Sequence, residues 1–220
     1  MDLQIWHLIL IALIGYPFGA MQFAYFVSKR FGKIDIREHG SGNAGTTNVT
    51  RVLGPRLGLV VLFFDILKTI VPIIILHIIL YGRPWYLEGL PDFDSTFYIP
   101  GLVMGLGITL GHCFPFFLKF RGGKGVANMI GILMMFDPRI IAIVLSISLV
   151  IVLITRFISL ASVTGFLSLG IVTTYLYADY PQIFGVMWIL CILGVINHRK
   201  NIKWLITGEE KRFNFKKKKA

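Results

Sequence analysis

The chain has 220 residues, 55% of them hydrophobic, and a mean hydropathy of +0.75. That composition excludes an ordinary soluble domain, and the lack of strand-period alternation points away from a membrane barrel and toward an all-α, polytopic membrane bundle. The formal net charge of +11 is explained by basic residues flanking membrane spans, so nucleic acid is not an expected partner.

The first apolar run is Leu3 to Val27. No Lys or Arg precedes it and no small-residue cleavage site follows, so it reads as a retained span rather than a removable leader. Further spans are predicted at Leu57–Tyr81, Tyr98–Gly111, Val126–Phe136, Ile140–Thr155, Ile158–Tyr177 and Pro181–Asn197. A polar loop, Gly82 to Phe97, and the Asp137-Pro138 turn punctuate them. Lys and Arg are distributed unevenly: six on 28–56, three on 112–124, Arg156, and nine from His198 onward, against Arg83 and Arg139 on the other side and Lys68 within a span. This asymmetry predicts about seven spans in one integral-membrane domain, 1–220, with the N-terminus outside and the C-terminus cytoplasmic. The short fourth segment leaves a five-span version with re-entrant pieces as an alternative. The Lys216–Lys219 run reads as a solvated end or one drawn to anionic lipid. Cys113 and Cys191 suggest neither a metal pattern nor a disulfide framework, and no metal or other cofactor is expected.

The predicted topology puts three polar segments on one side. Gly40 to Arg51, GSGNAGTTNVTR, is rich in hydroxyls and amides at a helix start, which suits an anion, although turn chemistry alone also fits. Gly111 to Ala127, GHCFPFFLKFRGGKGVA, holds His112, three cations and a Gly-Gly-Lys-Gly turn. Gly122, Gly123 and Gly125 are expected to turn N–H groups toward a phosphate beside Lys124, or else merely to pack helices. His112 is a site residue or a helix-end hydrogen bonder. In the third segment, which opens at His198, His198 and Asn201 lie three apart and are expected to share a helix face. Asp65 and Lys68 have the same spacing within a span, as a structural ion pair or a support for the site. A transporter of a phosphorylated small molecule is the alternative from another class, but the cations crowd one face rather than the midplane.

Together these segments resemble the bacterial membrane glycerol-3-phosphate acyltransferase family that uses acyl-phosphate as donor. The match runs from Ser41 to Asn48 in the first motif and from Gly111 to Gly125 in the second. In the third it falls on His198, Arg199, Asn201, Ile202, Leu205, Gly208 and Glu210. Trp204 stands where that motif has Arg, and Thr69 stands where Gly is usual. The resemblance implies transfer of a fatty acyl group from acyl-phosphate to the 1-hydroxyl of sn-glycerol 3-phosphate. The products are lysophosphatidate and inorganic phosphate, made at the cytoplasmic face of the cell (inner) membrane in phospholipid biosynthesis. It also implies substrate-binding roles for Ser41, Gly42, Asn43, Thr47, Asn48, Arg51, His112, Gly122, Gly123, Lys124, Gly125, His198, Arg199, Asn201 and Glu210. Ser41, Lys124, His198 and Asn201 would act in catalysis, and Glu210 would order the tail. The expected partners are the two substrates and membrane lipids, and the expected state is a monomer.

Acyl-phosphate is already activated, so positioning and charge stabilisation matter more than a strong acid. The proton acceptor is His198 or the substrate's own phosphate. None of the five His has Asp at +5, so the HxxxxD pair of the coenzyme A- or carrier-protein-dependent acyltransferases is absent.

Overall fold

A computed structural model describes residues 3–82 and 95–213. Arg83, most of the predicted outer loop and the Lys216–Lys219 run lie outside them. The described residues form helices joined by turns, with no strand among them. The chain divides into two compact units, Met1–Phe136 and Asp137–Ala220.

The first unit contains α1 (Ile5–Ala20), α2 (Phe23–Val27), α3 (Thr46–Leu53), α4 (Pro55–Tyr81), α5 (Ser95–Cys113) and α6 (Val126–Phe136). The predicted first span is broken. α1 stops at Met21, whose backbone is extended, and restarts as α2, which continues into a π-helical turn at Ser28–Gly32. α4 is bounded by Pro55 in its first turn and by Gly82 in the left-handed conformation at its end. α1 and α5 pack backbone to backbone. A Cβ on Gly107 or Gly111 would strike the α1 backbone at Ala12 or Tyr16, and one on Gly15 or Gly19 would strike the α5 backbone at Met104 or Ile108. Two glycine pairs spaced by four thus make one close helix contact, the small-residue packing that replaces hydrophobic drive inside a bilayer.

The second unit contains α7 (Pro138–Thr155), α8 (Ile158–Leu176), α9 (Pro181–Asn197) and α10 (Arg199–Thr207). Asp137 caps α7 by accepting from the Arg139 backbone N–H at 2.7 Å. It also pairs with the Arg139 guanidinium at 2.8 Å and accepts from the Tyr177 hydroxyl at 2.8 Å, which ties the start of α7 to the end of α8. Arg156, left-handed, closes α7.

The helical bundle is as expected, but the seven predicted spans are not seven full-length helices. Five described stretches are long and apolar enough to cross a membrane, or six if the bent pair α9–α10 counts as one. α6 keeps its predicted bounds, Val126–Phe136, but has 11 residues. At 1.5 Å per residue it is about 16 Å long, against about 30 Å of hydrocarbon.

Candidate active site

In the first unit, the first two motifs are built around buried polar side chains. Asn48 is the brace of the first motif. Its side-chain amide donates to the carbonyls of Ile36 (3.1 Å), His39 (2.9 Å) and Asn43 (3.1 Å), and its Oδ1 accepts from the Ser41 N–H at 2.8 Å. Asn48 is therefore corrected from a substrate contact to a positioning residue, because its side chain is already committed to four backbone groups. It fixes the loop that carries Ser41, Gly42 and Asn43. Gly42 is left-handed, φ 73°, and donates to the His39 carbonyl at 3.0 Å. Thr47, half-buried, and Arg51, exposed, follow on the first and last turns of α3.

The second motif departs from the expected phosphate cradle. The Gly122 and Gly123 N–H groups donate to the carbonyls of Cys113 (3.2 Å) and His112 (3.0 Å) at the end of α5. A helix leaves its last carbonyls without intrahelical partners, and the glycine turn satisfies two of them. Glycine is required by proximity: a Cβ on Gly122 would meet the His112 carbonyl, and one on Gly123 the His112 ring. Gly122 and Gly123 thus position the loop, with their amides committed to the end of α5 rather than turned toward a phosphate. Lys124, half-buried, follows directly. Gly125, left-handed at φ 88°, then turns the chain into α6, whose first N–H groups point back along the helix axis.

His112 is buried and works from beneath the loop. Its Nδ1 lies 3.0 Å from the Lys68 ammonium and 3.9 Å from the Asp65 carboxylate. An ammonium can only donate, so Nδ1 accepts and the ring proton sits on Nε2. Lys68 also pairs with Asp65 at 2.8 Å and donates to the carbonyls of Gly19 (3.1 Å) and Met21 (2.7 Å), on either side of the break in the first span. The intramembrane pair is the structural hub of this unit. It holds the broken end of α1, the middle of α4 and the end of α5 together, as buried charges must be held. His112 is accordingly placed as a helix-end hydrogen bonder, one of the two readings its position allowed.

Two supports were not singled out in the sequence. Gln22, fully buried, donates from its side-chain amide to the His112 carbonyl at 2.9 Å, joining Gly123 on that oxygen. Its one visible signal was a lone amide inside an apolar run. Arg37 forks onto Asp35 (2.7 and 3.0 Å) and donates to the Leu118 carbonyl at 3.0 Å. It thereby ties the approach to the first motif to the turn of the second. The Arg37 hydrogen bonds hold the Asp35 carboxyl below its ordinary range. The turn itself, Pro115–Arg121, places two successive non-glycine residues, Lys119 (φ 55°) and Phe120 (φ 57°), in the left-handed region. That conformation costs about 1–2 kcal/mol per residue.

The second unit holds the third motif. His198 sits at the corner between α9 and α10 and is buried. Its Nδ1 is 2.7 Å from the Gly194 carbonyl. A carbonyl only accepts, so Nδ1 carries the proton, and the lone pair of the neutral ring is on Nε2. Asn201, one turn on and also buried, donates to both Glu210 oxygens (2.9 and 3.1 Å). Glu210 reaches back because Gly208 is left-handed, φ 75°, and the Glu209 and Glu210 N–H groups close onto the Trp204 carbonyl (2.8 and 3.0 Å). The part Trp204 plays here is a backbone one that any residue supplies. Beyond it, the Phe213 N–H donates to the Arg156 carbonyl at 2.7 Å, which straps the tail to the α7–α8 turn. Arg199 is exposed, with its guanidinium 3.4 Å from the Ile196 carbonyl. Among the described residues, no group of three or more His, Cys, Asp or Glu side chains could hold a metal ion.

The family model described as glycerol-3-phosphate acyltransferase matches residues 9–208. The chain belongs to the glycerol-3-phosphate acyltransferase family. A relative of that name from Thermoanaerobacter pseudethanolicus is 36% identical over 208 residues, covering 94% of this chain and 96% of the relative. One from Staphylococcus aureus (strain Newman) is 35% identical over 204 residues, covering 92% and 96%. Two crystal structures of PlsY (YgiH), described as an integral membrane glycerol 3-phosphate acyltransferase, also match. The glycerol 3-phosphate form has a TM-score of 0.79 and 33% identity; the lysophosphatidic acid form has a TM-score of 0.77 and 32% identity. Each covers 94% of this chain and 96% of its own. The family match runs across both compact units.

Proposed function

We propose that this chain transfers a fatty acyl group from an acyl-phosphate to the 1-hydroxyl of sn-glycerol 3-phosphate, releasing inorganic phosphate and lysophosphatidate. The observation that carries the reading is the family match from residue 9 to 208, which includes every candidate site residue except Glu210. The glycerol 3-phosphate and lysophosphatidic acid forms of PlsY support the acceptor and the product. The acyl-phosphate donor rests on the motif resemblance and on the chemistry of the side chains. Among the described residues no nucleophile–base pair is seen, and a donor that arrives activated does not call for one.

The geometry supports the following roles. Ser41, held by its own N–H, presents its hydroxyl from a braced loop. With Thr47 and Arg51 on α3, and with Lys124 and the start of α6, it supplies donors and positive charge for phosphate oxygens. His198, oriented by Gly194, is the proton acceptor for the glycerol hydroxyl through Nε2. Glu210 fixes Asn201, whose amide is thereby oriented for the substrate. Asp65 and Lys68 pair with each other and Lys68 also bonds neighbouring backbone, which disfavours the transport reading. The chain works as one functional domain, 1–220, and as a monomer. It resides in the cell membrane with the N-terminus outside, the C-terminus and site cytoplasmic, and α6 as the short fourth of seven passages.

The test is donor choice. Purified protein in detergent, given labelled sn-glycerol 3-phosphate and a metal chelator, is expected to form labelled lysophosphatidate with acyl-phosphate and none with acyl-coenzyme A. Conversion with acyl-coenzyme A alone would overturn the donor. Substrate flux through proteoliposomes without conversion would overturn the enzyme.

A further inference from the structure

The turn Pro115–Arg121 carries features that the acyl-transfer reading does not use. Phe116, Phe117 and Phe120 point outward, 62%, 43% and 62% exposed. Phe116 and Phe117 close the apolar stretch Ser95–Leu118 on the short turn beyond α5, and Phe120 lies just past it, so the three sit at the end of a candidate span and not along its face. The turn is tightly closed: the Phe120 N–H donates to the Pro115 carbonyl at 3.0 Å and the Arg121 N–H to the Leu118 carbonyl at 3.2 Å. The left-handed Lys119 and Phe120 set its outer edge.

A second element joins it. Phe26, 47% exposed at the end of α2, stacks on Phe117 with ring centroids 6.3 Å apart. Phe31, 62% exposed, follows on the π-helical turn. Arg37 locks the two elements through its bond to the Leu118 carbonyl and lies 5.2 Å from the Tyr25 ring; Lys29 lies 5.8 Å from the same ring. Interleaved with the phenylalanines are the exposed cations Lys29, Arg30, Lys119 and Arg121, none of which forms an ion pair among the described residues. The apolar stretches Ile5–Gly32 and Ser95–Leu118 both end here, so the patch falls at the edge of two candidate spans.

Five outward phenylalanines ringed by four unpaired cations match a surface that is apolar below and negative above. We infer that this patch is a docking surface for acidic membrane phospholipid. The phenylalanine rings enter the acyl boundary, and the cations hold the headgroup phosphates of the same leaflet. The left-handed turn is the device that aims Phe120 at that boundary while keeping Lys119 and Arg121 at headgroup level. The site requires no covalent step and does not depend on the proposed acyl transfer.

The experiment places a bimane probe on Phe120→Cys of the full chain; Cys113 and Cys191 are buried. The protein is reconstituted in nanodiscs that contain brominated phosphatidylglycerol or brominated phosphatidylcholine in otherwise identical bilayers. Strong quenching by both lipids is expected, with preferential quenching by phosphatidylglycerol that weakens as salt rises. Lys119→Ser with Arg121→Ser should lower the phosphatidylglycerol preference by about thirtyfold, from about fivefold per cation, while the probe stays at the same depth. Phe116→Ser with Phe117→Ser should instead reduce quenching by both lipids. Helical circular dichroism and elution position check that each variant folds. A probe that neither lipid quenches, or a phosphatidylglycerol preference unchanged in the folded double-serine cation variant, would overturn the inference. Because no activity is read, its failure is separate from failure of the acyl-transfer proposal.

Discussion

Replacing Lys68 by Met should be among the most damaging single changes in the first unit, although Lys68 is proposed to touch no substrate. The ammonium pairs with Asp65 at 2.8 Å, and both side chains are 1% exposed. Removing it leaves a carboxylate buried without its counter-charge, which costs about 3–5 kcal/mol. At roughly 2–4 °C per kcal/mol for a chain of this size, the melting midpoint in detergent should fall by about 6–20 °C. Asp65→Asn should cost less than Lys68→Met, because the cation keeps the Gly19 and Met21 carbonyls and His112. The double variant, Asp65→Asn with Lys68→Met, should recover part of the loss, giving a coupling that a thermal-melt double-mutant cycle reads directly. Single variants that melt within about 2 °C of the wild type would refute the reasoning, because a solvated pair contributes about 0–1 kcal/mol.

Asn48→Ala strands three carbonyls and one N–H at about 0.5–1.5 kcal/mol each, so a loss of about 2–6 kcal/mol is expected in the same melt, with the larger kinetic effect on KM for glycerol 3-phosphate. His198→Ala should lower kcat by about 10²–10⁴-fold in steady-state assays, the range for removal of a general base; full turnover would transfer that role to the substrate phosphate. Asp35→Asn should remove an acid-side contribution. The Asp35 carboxyl is held below its ordinary range, so its stabilisation is present above the unfolded value near about 4 and is lost as pH falls through the lower folded value. Melts of wild type and variant should therefore differ at pH 6 and converge under strongly acid conditions.

The sequence made the apolar runs legible because a bilayer demands long uninterrupted ones, and α6, α8 and α9 fall within a residue of their expected bounds. It could not show that the first run breaks at Met21. The break depends on a lysine 47 residues away that accepts the job of missing helical donors at Gly19 and Met21. The close α1–α5 contact was written in Gly15, Gly19, Gly107 and Gly111, but spacing alone does not say which two helices meet. Motif spacing singled out Ser41, Lys124, His198 and Asn201, whose roles are proposals. It misassigned the amides of Gly122 and Gly123, because whether an N–H faces a ligand or a helix end depends on the fold of the turn. Gln22 and Arg37 were passed over because each acts on a backbone carbonyl about 80–90 residues away, with no local pattern to mark it.

The most direct measurement is product accounting with acyl-phosphate and sn-glycerol 3-phosphate, comparing wild type with Lys124→Ala in matched detergent after both are shown to fold. Inorganic phosphate and lysophosphatidate should appear in equal amounts with the wild type, and neither should appear above background with the variant. Phosphate release without lysophosphatidate, or equal turnover by the folded Lys124→Ala protein, would contradict the account.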